Sequence, residues 1–246
     1  MLSHLGLGSF LKRFFTTFHL DTMAPVPPTL RVLLTGFEPF GGRSTNASWT
    51  AVSQIPLTIV TPAATLIIEK VLLPVEYAPV RSTIPALHAR IRPHIVLHCG
   101  LGRPQVCCLE SRAALSGYVK KDNAGKIPEE TEDEEEEEEE AKTYVVHPDV
   151  LCGIHAAVDD NSHPNPVVIS DDAGRFLCEY TLMQSLRLKT TPVTLFLHIP
   201  ETSIEASVDL IKRTLDAAGV ACVALRDEVD AAGVVEAVDN SKTNGV

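Results

Sequence analysis

Short, almost wholly apolar runs alternate with stretches of helical spacing along this 246-residue chain, and that alternation limits the folds open to it. Residues 30–34 (Leu-Arg-Val-Leu-Leu), 64–73, 95–99 (Ile-Val-Leu-His-Cys), 167–170 (Val-Val-Ile-Ser) and 193–198 (Val-Thr-Leu-Phe-Leu-His) read as strands too apolar to leave a face in water. Between them, residues 48–54, 75–92, 176–186 and 203–218 read as helices. In the last of these Ile204, Val208, Ile211 and Leu215 recur at spacings of three and four. Pro79 and Pro85 blur the ends of 75–92. Strands buried on both faces need helices above and below, so the pattern predicts an α/β fold, a three-layer α/β/α sandwich with a mostly parallel central sheet. Residues 220–225 read as a last strand or a loop.

Sheets of this kind gather ligands outside the carboxyl ends of their strands. Four features are expected on that rim: the Gly-rich turn 35–42, Glu110, Cys178 and His198. Cys178 follows strand 167–170 through Asp-Asp-Ala-Gly-Arg-Phe-Leu, an order that reads as strand, tight turn and first turn of a helix. A thiol there meets the positive end of the helix dipole and unpaired backbone N–H groups, which favour a thiolate. With His198 ending its strand and Glu110 in Cys107-Cys108-Leu109-Glu110, it makes a candidate Cys-His-acid triad. Each residue alone has a plainer reading: a structural cysteine, a rim histidine, a solvated acid. Convergence on one rim favours the chemical one.

Charge and cysteine usage exclude other classes. The net charge of −11 is carried by 129–140, which holds 11 acidic residues and no basic one; the remainder is formally neutral. No basic patch suggests nucleic acid, and no apolar run of membrane-spanning length occurs. The six cysteines (99, 107, 108, 152, 178, 222) are scattered, several within apolar strands, which fits a reduced cytoplasmic chain. Paired zinc-type spacing is missing, so no metal is expected. The Gly-rich turn lacks both the Lys-Ser/Thr ending of a phosphate loop and the Gly-x-Gly-x-x-Gly spacing of a dinucleotide site. That also weighs against a phosphorylase-like reading of the sandwich.

The run 33–42 (Leu-Leu-Thr-Gly-Phe-Glu-Pro-Phe-Gly-Gly), with Asn46 and Trp49 after it, resembles the N-terminal motif of pyroglutamyl peptidase I, the C15 family of cysteine peptidases. Leu73-Pro74-Val75, the 100–112 stretch with its Leu-Glu, Asp172-Ala173-Gly174 leading to Cys178, and Leu197-His198-Ile199-Pro200 agree in order and rough spacing. The resemblance covers about residues 30–218 and suggests a eukaryotic, fungal-like member. It implies removal of an N-terminal pyroglutamyl residue from peptides, with Cys178 as nucleophile, His198 as base and Glu110 orienting the imidazole. Phe37 and Phe40 match ring-contacting aromatics and Asn46 a supporting polar residue, so these three are expected to bind substrate. No cofactor is implied. The expected partners are small pyroglutamyl peptides, with neither nucleic acid nor membrane, and the oligomeric state is left open.

Two departures stand out. Glu179 follows the cysteine where many members carry Asn, placing a negative charge beside the nucleophile. The segment after Gly100 is about a residue shorter than in bacterial members, and Leu101 stands where some of those carry a pocket Gln. These leave room for a second reading, a weak or inactive member that binds capped peptides or a lactam metabolite. Residues 29–228 are expected to form a single catalytic domain, interrupted near 121–143 by a disordered acidic surface insertion. Residues 229–246 form a tail and 1–28 an extension. Lys12 and Arg13 with no acid up to Leu20 resemble a mitochondrial presequence, but the expected reading is an upstream start codon, with Met23 opening onto the first strand.

Overall fold

The computed structural model describes residues 26–128, 143–159, 163–201 and 203–243. Most of the extension and the acidic run 129–142 lie outside these residues. The elements are β1 (Thr29–Phe37), α1 (Ala47–Ser53), β2 (Thr58–Val60), β3 (Thr65–Leu73), α2 (Tyr77–Ile91), β4 (Ile95–Leu101), β5 (Cys107–Glu110), β6 (Arg112–Ala114), β7 (Thr143–Val145), α3 (Pro148–Val158), β8 (Val167–Ser170), α4 (Leu177–Arg187), β9 (Val193–Ile199) and α5 (Ile204–Thr243). Seven strands form one sheet in the order β2-β3-β1-β4-β9-β5-β8, and β6 with β7 forms a separate antiparallel ribbon.

Strands β3, β1, β4 and β9 run parallel, and the two central ones, β4 and β9, are buried almost throughout, as their unbroken apolar composition requires. Helices α1, α3 and α5 pack together on one side of the sheet, and α2 and α4 pack together on the other. The two-residue period of the strands sorts their side chains between these layers. Leu33 and Val96, facing each other across β1 and β4, pack with Leu87 of α2, whereas Val32 and Leu34 join the main core. By the same period and register, Thr35, Phe37, His98, Gly100, Phe196, His198, Cys108 and Glu110 share the α2/α4 face.

Strand direction corrects one expectation. β5 runs antiparallel to β9, and β8 parallel to β5, so this end of the sheet is reversed. Glu110 therefore stands inside a strand of its own instead of beyond the carboxyl end of β4. Cys178 reaches the site through the helix that follows the reversed strand β8.

Residues 220–225 are neither strand nor loop but part of α5. Ser207, Leu210, Ile211, Thr214, Leu215, Ala218 and Cys222 are all fully buried, so the three-and-four spacing runs on past 218. Val220, exposed between them, made the run look uniformly apolar. The backbone of α5 stays helical to Thr243, through most of the expected tail.

Residues 121–128, placed within the acidic insertion, are an ordered loop. Asp122 is buried and accepts hydrogen bonds from Tyr77 N (3.0 Å), Ala124 N (2.9 Å) and Lys126 N (2.9 Å). It thus caps the N-terminus of α2 from outside the helix, where Glu76 makes no side-chain cap bond. Asn123 donates to Pro39 O at 3.0 Å, tying this loop to the Gly-rich turn.

Candidate active site

Register places the candidate residues. Across the sheet Gly100 lies beside His198 and His198 beside Cys108, so Glu110, two residues along β5, is the diagonal same-face neighbour of His198. His198 Nδ1 donates to Glu110 Oε1 at 2.7 Å, with both side chains almost fully buried. Cys178 approaches from the other side: its Sγ lies over Gly100, the residue paired with His198 across the sheet, and its charge acts on the imidazole. Burial alone would lower the His198 pKa. The Cys178 charge and the hydrogen-bonded Glu110 carboxylate outweigh this and push it up to about 10.

Cys178 is half-buried in the first turn of α4, whose N-cap, Phe176, makes no side-chain bond to the free N–H groups. Its Sγ sits over Gly100: a Cβ there would stand 2.9 Å from the sulfur and 2.8 Å from the Phe196 ring. The Phe196 ring lies 4.7 Å from that of His198 and forms the floor. A Gly100→Ala variant therefore has to displace the Cys178 sulfur or the Phe196 ring, and its turnover is expected to fall about a hundredfold with the fold retained. Steady-state kinetics beside a thermal melt would check this.

The far end of α4 is held by a buried polar chain. His98 Nδ1 is hydrogen-bonded to Thr35 Oγ1 (2.7 Å) and its Nε2 to Ser185 Oγ (2.8 Å), which also meets His88 Nε2 (3.2 Å). Complete burial, with the nearby His88 charge, lowers the His98 pKa to about 3, so this imidazole is neutral. The chain joins β1, β4, α2 and α4 two turns from Cys178 and sets the height of the helix over the sheet.

Glu179, expected to disturb the nucleophile, is occupied elsewhere. Its carboxylate accepts from Ala114 N at 2.9 Å and Arg175 N at 2.8 Å, with the Arg175 guanidinium 3.3 Å away. It secures the turn before α4.

The expected substrate residues divide. Phe40 is half-buried, its ring 6.2 Å from that of Phe176, which in turn meets Tyr77 edge-on at 6.1 Å. These rings form an aromatic wall beside Cys178. Phe37 is buried against Phe196 (6.3 Å) and supports the floor. Asn46 caps α1: its Oδ1 accepts from Ser48 N (3.0 Å) and Ser48 Oγ (2.9 Å), and its Nδ2 donates to Glu38 O (2.9 Å). It therefore shapes the Gly-rich turn from behind. Phe176 and Tyr77 escaped the sequence reading; the place of Phe176 two residues before the cysteine was the available signal. Burial raises the thiol pKa values of Cys99, Cys107 (to about 12), Cys108 and Cys222. Among the described residues no three His, Cys, Asp or Glu side chains converge as a metal site, and no helix is long and apolar enough to cross a membrane.

A buried carboxylate–imidazole pair reaching a cysteine at a helix start, on an α/β/α sandwich, is the site of a cysteine hydrolase. The family model described as Pyroglutamyl peptidase matches residues 30–235, and the chain belongs to that family, C15, of cysteine peptidases. Human pyroglutamyl-peptidase 1 is 31% identical over 191 residues, 77% of this chain and 88% of that one. The pyrrolidone-carboxylate peptidase of Thermococcus onnurineus is 30% identical over 70% of this chain and 84% of its own length. The solved pyrrolidone carboxyl peptidase of Thermococcus litoralis superposes with a TM-score of 0.64 at 22% identity, covering 77% of this chain and 93% of that one. Relatives from mammals, archaea and bacteria do not bear out the narrower eukaryotic, fungal-like assignment.

Proposed function

We propose that this protein is an omega-peptidase that removes an N-terminal pyroglutamyl residue from peptides, with Cys178 as nucleophile, His198 as acid and base and Glu110 as its orienting carboxylate. The observation that carries this reading is the convergence of the three groups: His198 is held by Glu110 at 2.7 Å on Nδ1, and Cys178 Sγ lies over Gly100, the sheet neighbour of His198. The Cys178 thiolate attacks the acyl carbon of the amide that joins pyroglutamate to the next residue. First-turn N–H groups of α4, uncapped by any side chain, face the developing oxyanion. His198 gives its proton to the departing amine, the C–N bond breaks, and a thioester remains on Cys178. Water, deprotonated by His198, then attacks the thioester and releases pyroglutamate and the thiol.

Phe40 and Phe176 wall the lactam ring, Phe37 supports the floor, and Asn46 holds the turn that carries Phe40. Glu179, the departure that left room for an inactive binder, is taken up by Arg175 and two backbone N–H groups, which favours the active enzyme. All six cysteines are free, in keeping with a reducing, cytoplasmic setting; import through residues 1–22 rests on a segment outside the described residues. The test is release of a fluorescent amine from a pyroglutamyl amide under reducing conditions, beside the prolyl amide that lacks the lactam carbonyl. Turnover of the pyroglutamyl amide is expected to exceed that of the prolyl one by at least about a hundredfold. A folded chain with an accessible Cys178 that releases no amine would sink this reading in favour of the capped-peptide binder.

A further inference from the structure

His198 protonates the departing amine, so the residue that leaves lies on the His198 side of Cys178, away from the aromatic wall. On that side is a cavity of about 190 Å³, bounded by Leu101, Gly102, Ala173 and Gly174, with His198 and Glu110 at its base and Arg103 and Asp172 at its rim. Both walls are built. Gly102 N donates to Ile199 O at 2.8 Å, and a Cβ on Gly102 would stand 2.8 Å from that of His198, so this wall lies directly against the imidazole. Opposite, Asp172 Oδ1 accepts from Gly174 N at 3.1 Å and Asp172 N donates to Ser170 Oγ at 3.2 Å, which closes a tight turn.

We propose that this cavity receives the side chain of the residue that follows pyroglutamate, and that Arg103 and Asp172 set the charge preference there. The inference rests on the peptidase reading above. At the base of the cavity the Glu110 carboxylate is buried and engaged by His198, so it is not offered to a substrate side chain. Asp171, next along the rim, is paired with Arg112 at 2.8 Å. That leaves Arg103 Nη2 and Asp172 Oδ2, 3.5 Å apart and 72% and 65% exposed, as the charges a substrate side chain meets. An exposed pair of this kind is weak in water, so a charged substrate side chain competes for either partner. With both present the rim is neutral and lysine and glutamate are accepted about equally; removing one partner leaves the other free to select.

The test measures kcat/KM for pyroglutamyl-lysyl and pyroglutamyl-glutamyl peptide amides at low salt in the intact chain, Asp172→Asn and Arg103→Gln. Asn keeps the acceptor for Gly174 N, so the turn survives. The ratio of the two substrates is read within each protein, so a general loss of turnover cancels. Asp172→Asn is expected to shift the ratio about fivefold toward the glutamyl substrate and Arg103→Gln about fivefold toward the lysyl one. A ratio that is the same in all three proteins overturns the assignment. If the intact chain releases nothing even from a simple pyroglutamyl arylamide, the peptidase reading falls first and this inference with it.

Discussion

Replacing Cys178 by serine is expected to lower release of amine from a pyroglutamyl amide by about 10⁴-fold or more, with the thermal midpoint almost unchanged. Serine fills the same gap over Gly100 and beside Phe196, so packing in the first turn of α4 is retained. What disappears is the sulfur nucleophile, and with it the negative partner that helps hold a proton on His198. The His198 resonance in an NMR titration should accordingly move to a lower pKa than the value of about 10 that the thiolate and Glu110 together maintain. Rapid alkylation at neutral pH is expected to vanish at the same site. Cys99, Cys107, Cys108 and Cys222, buried and held as thiols, do not substitute for it. A serine variant that keeps even a tenth of the turnover would contradict the assignment.

Glu110→Gln is the second large effect, an expected loss of about 10²- to 10⁴-fold. Glutamine can still accept from His198 Nδ1, so the ring stays oriented, but the Glu110 share of the charge that stabilises the imidazolium in a buried setting is lost. The pH dependence follows from the direction of the shift. The folded pKa of His198 is raised from the usual 6.5 to about 10. Its contribution to stability is therefore complete below about 6.5, weakens above it, and is gone once pH has risen through about 10. Denaturant unfolding at pH 6 and pH 10 should show a smaller difference in the glutamine variant than in the intact chain. The alkaline limb of kcat/KM should move toward neutrality. An alkaline limb unchanged by the substitution would show that Glu110 does not support the charge on His198.

The parts of the fold set by local chemistry were readable from residues alone. Strands such as 95–99 and 193–198 are continuous apolar runs, and α5 announces itself through Ile204, Val208, Ile211 and Leu215. Strand direction was not readable. β5 is four residues long, Cys-Cys-Leu-Glu, with no β-branched residue, and its reversal depends on pairing with β8 and β9, far away in sequence. The site followed the same division. Cys178, His198 and Glu110 were singled out through their motifs, and the fold brings them to one face of the sheet. The neutral His98 chain, the engagement of Glu179 by Ala114 N, and the wall made by Phe176 and Tyr77 exist only once α2, α4 and the 112–126 region are folded together. Asp122 illustrates the limit well. In sequence it stands in a polar stretch leading to the acidic run, yet it is the buried cap of a helix that begins 45 residues earlier.

The most direct measurement of the central claim is an acid quench of the intact chain during turnover of a pyroglutamyl amide, followed by peptide mass spectrometry. A pyroglutamyl thioester on the peptide carrying Cys178, and on no other cysteine, is the predicted result. Turnover with no adduct on Cys178, or with the adduct on another residue, would contradict the account.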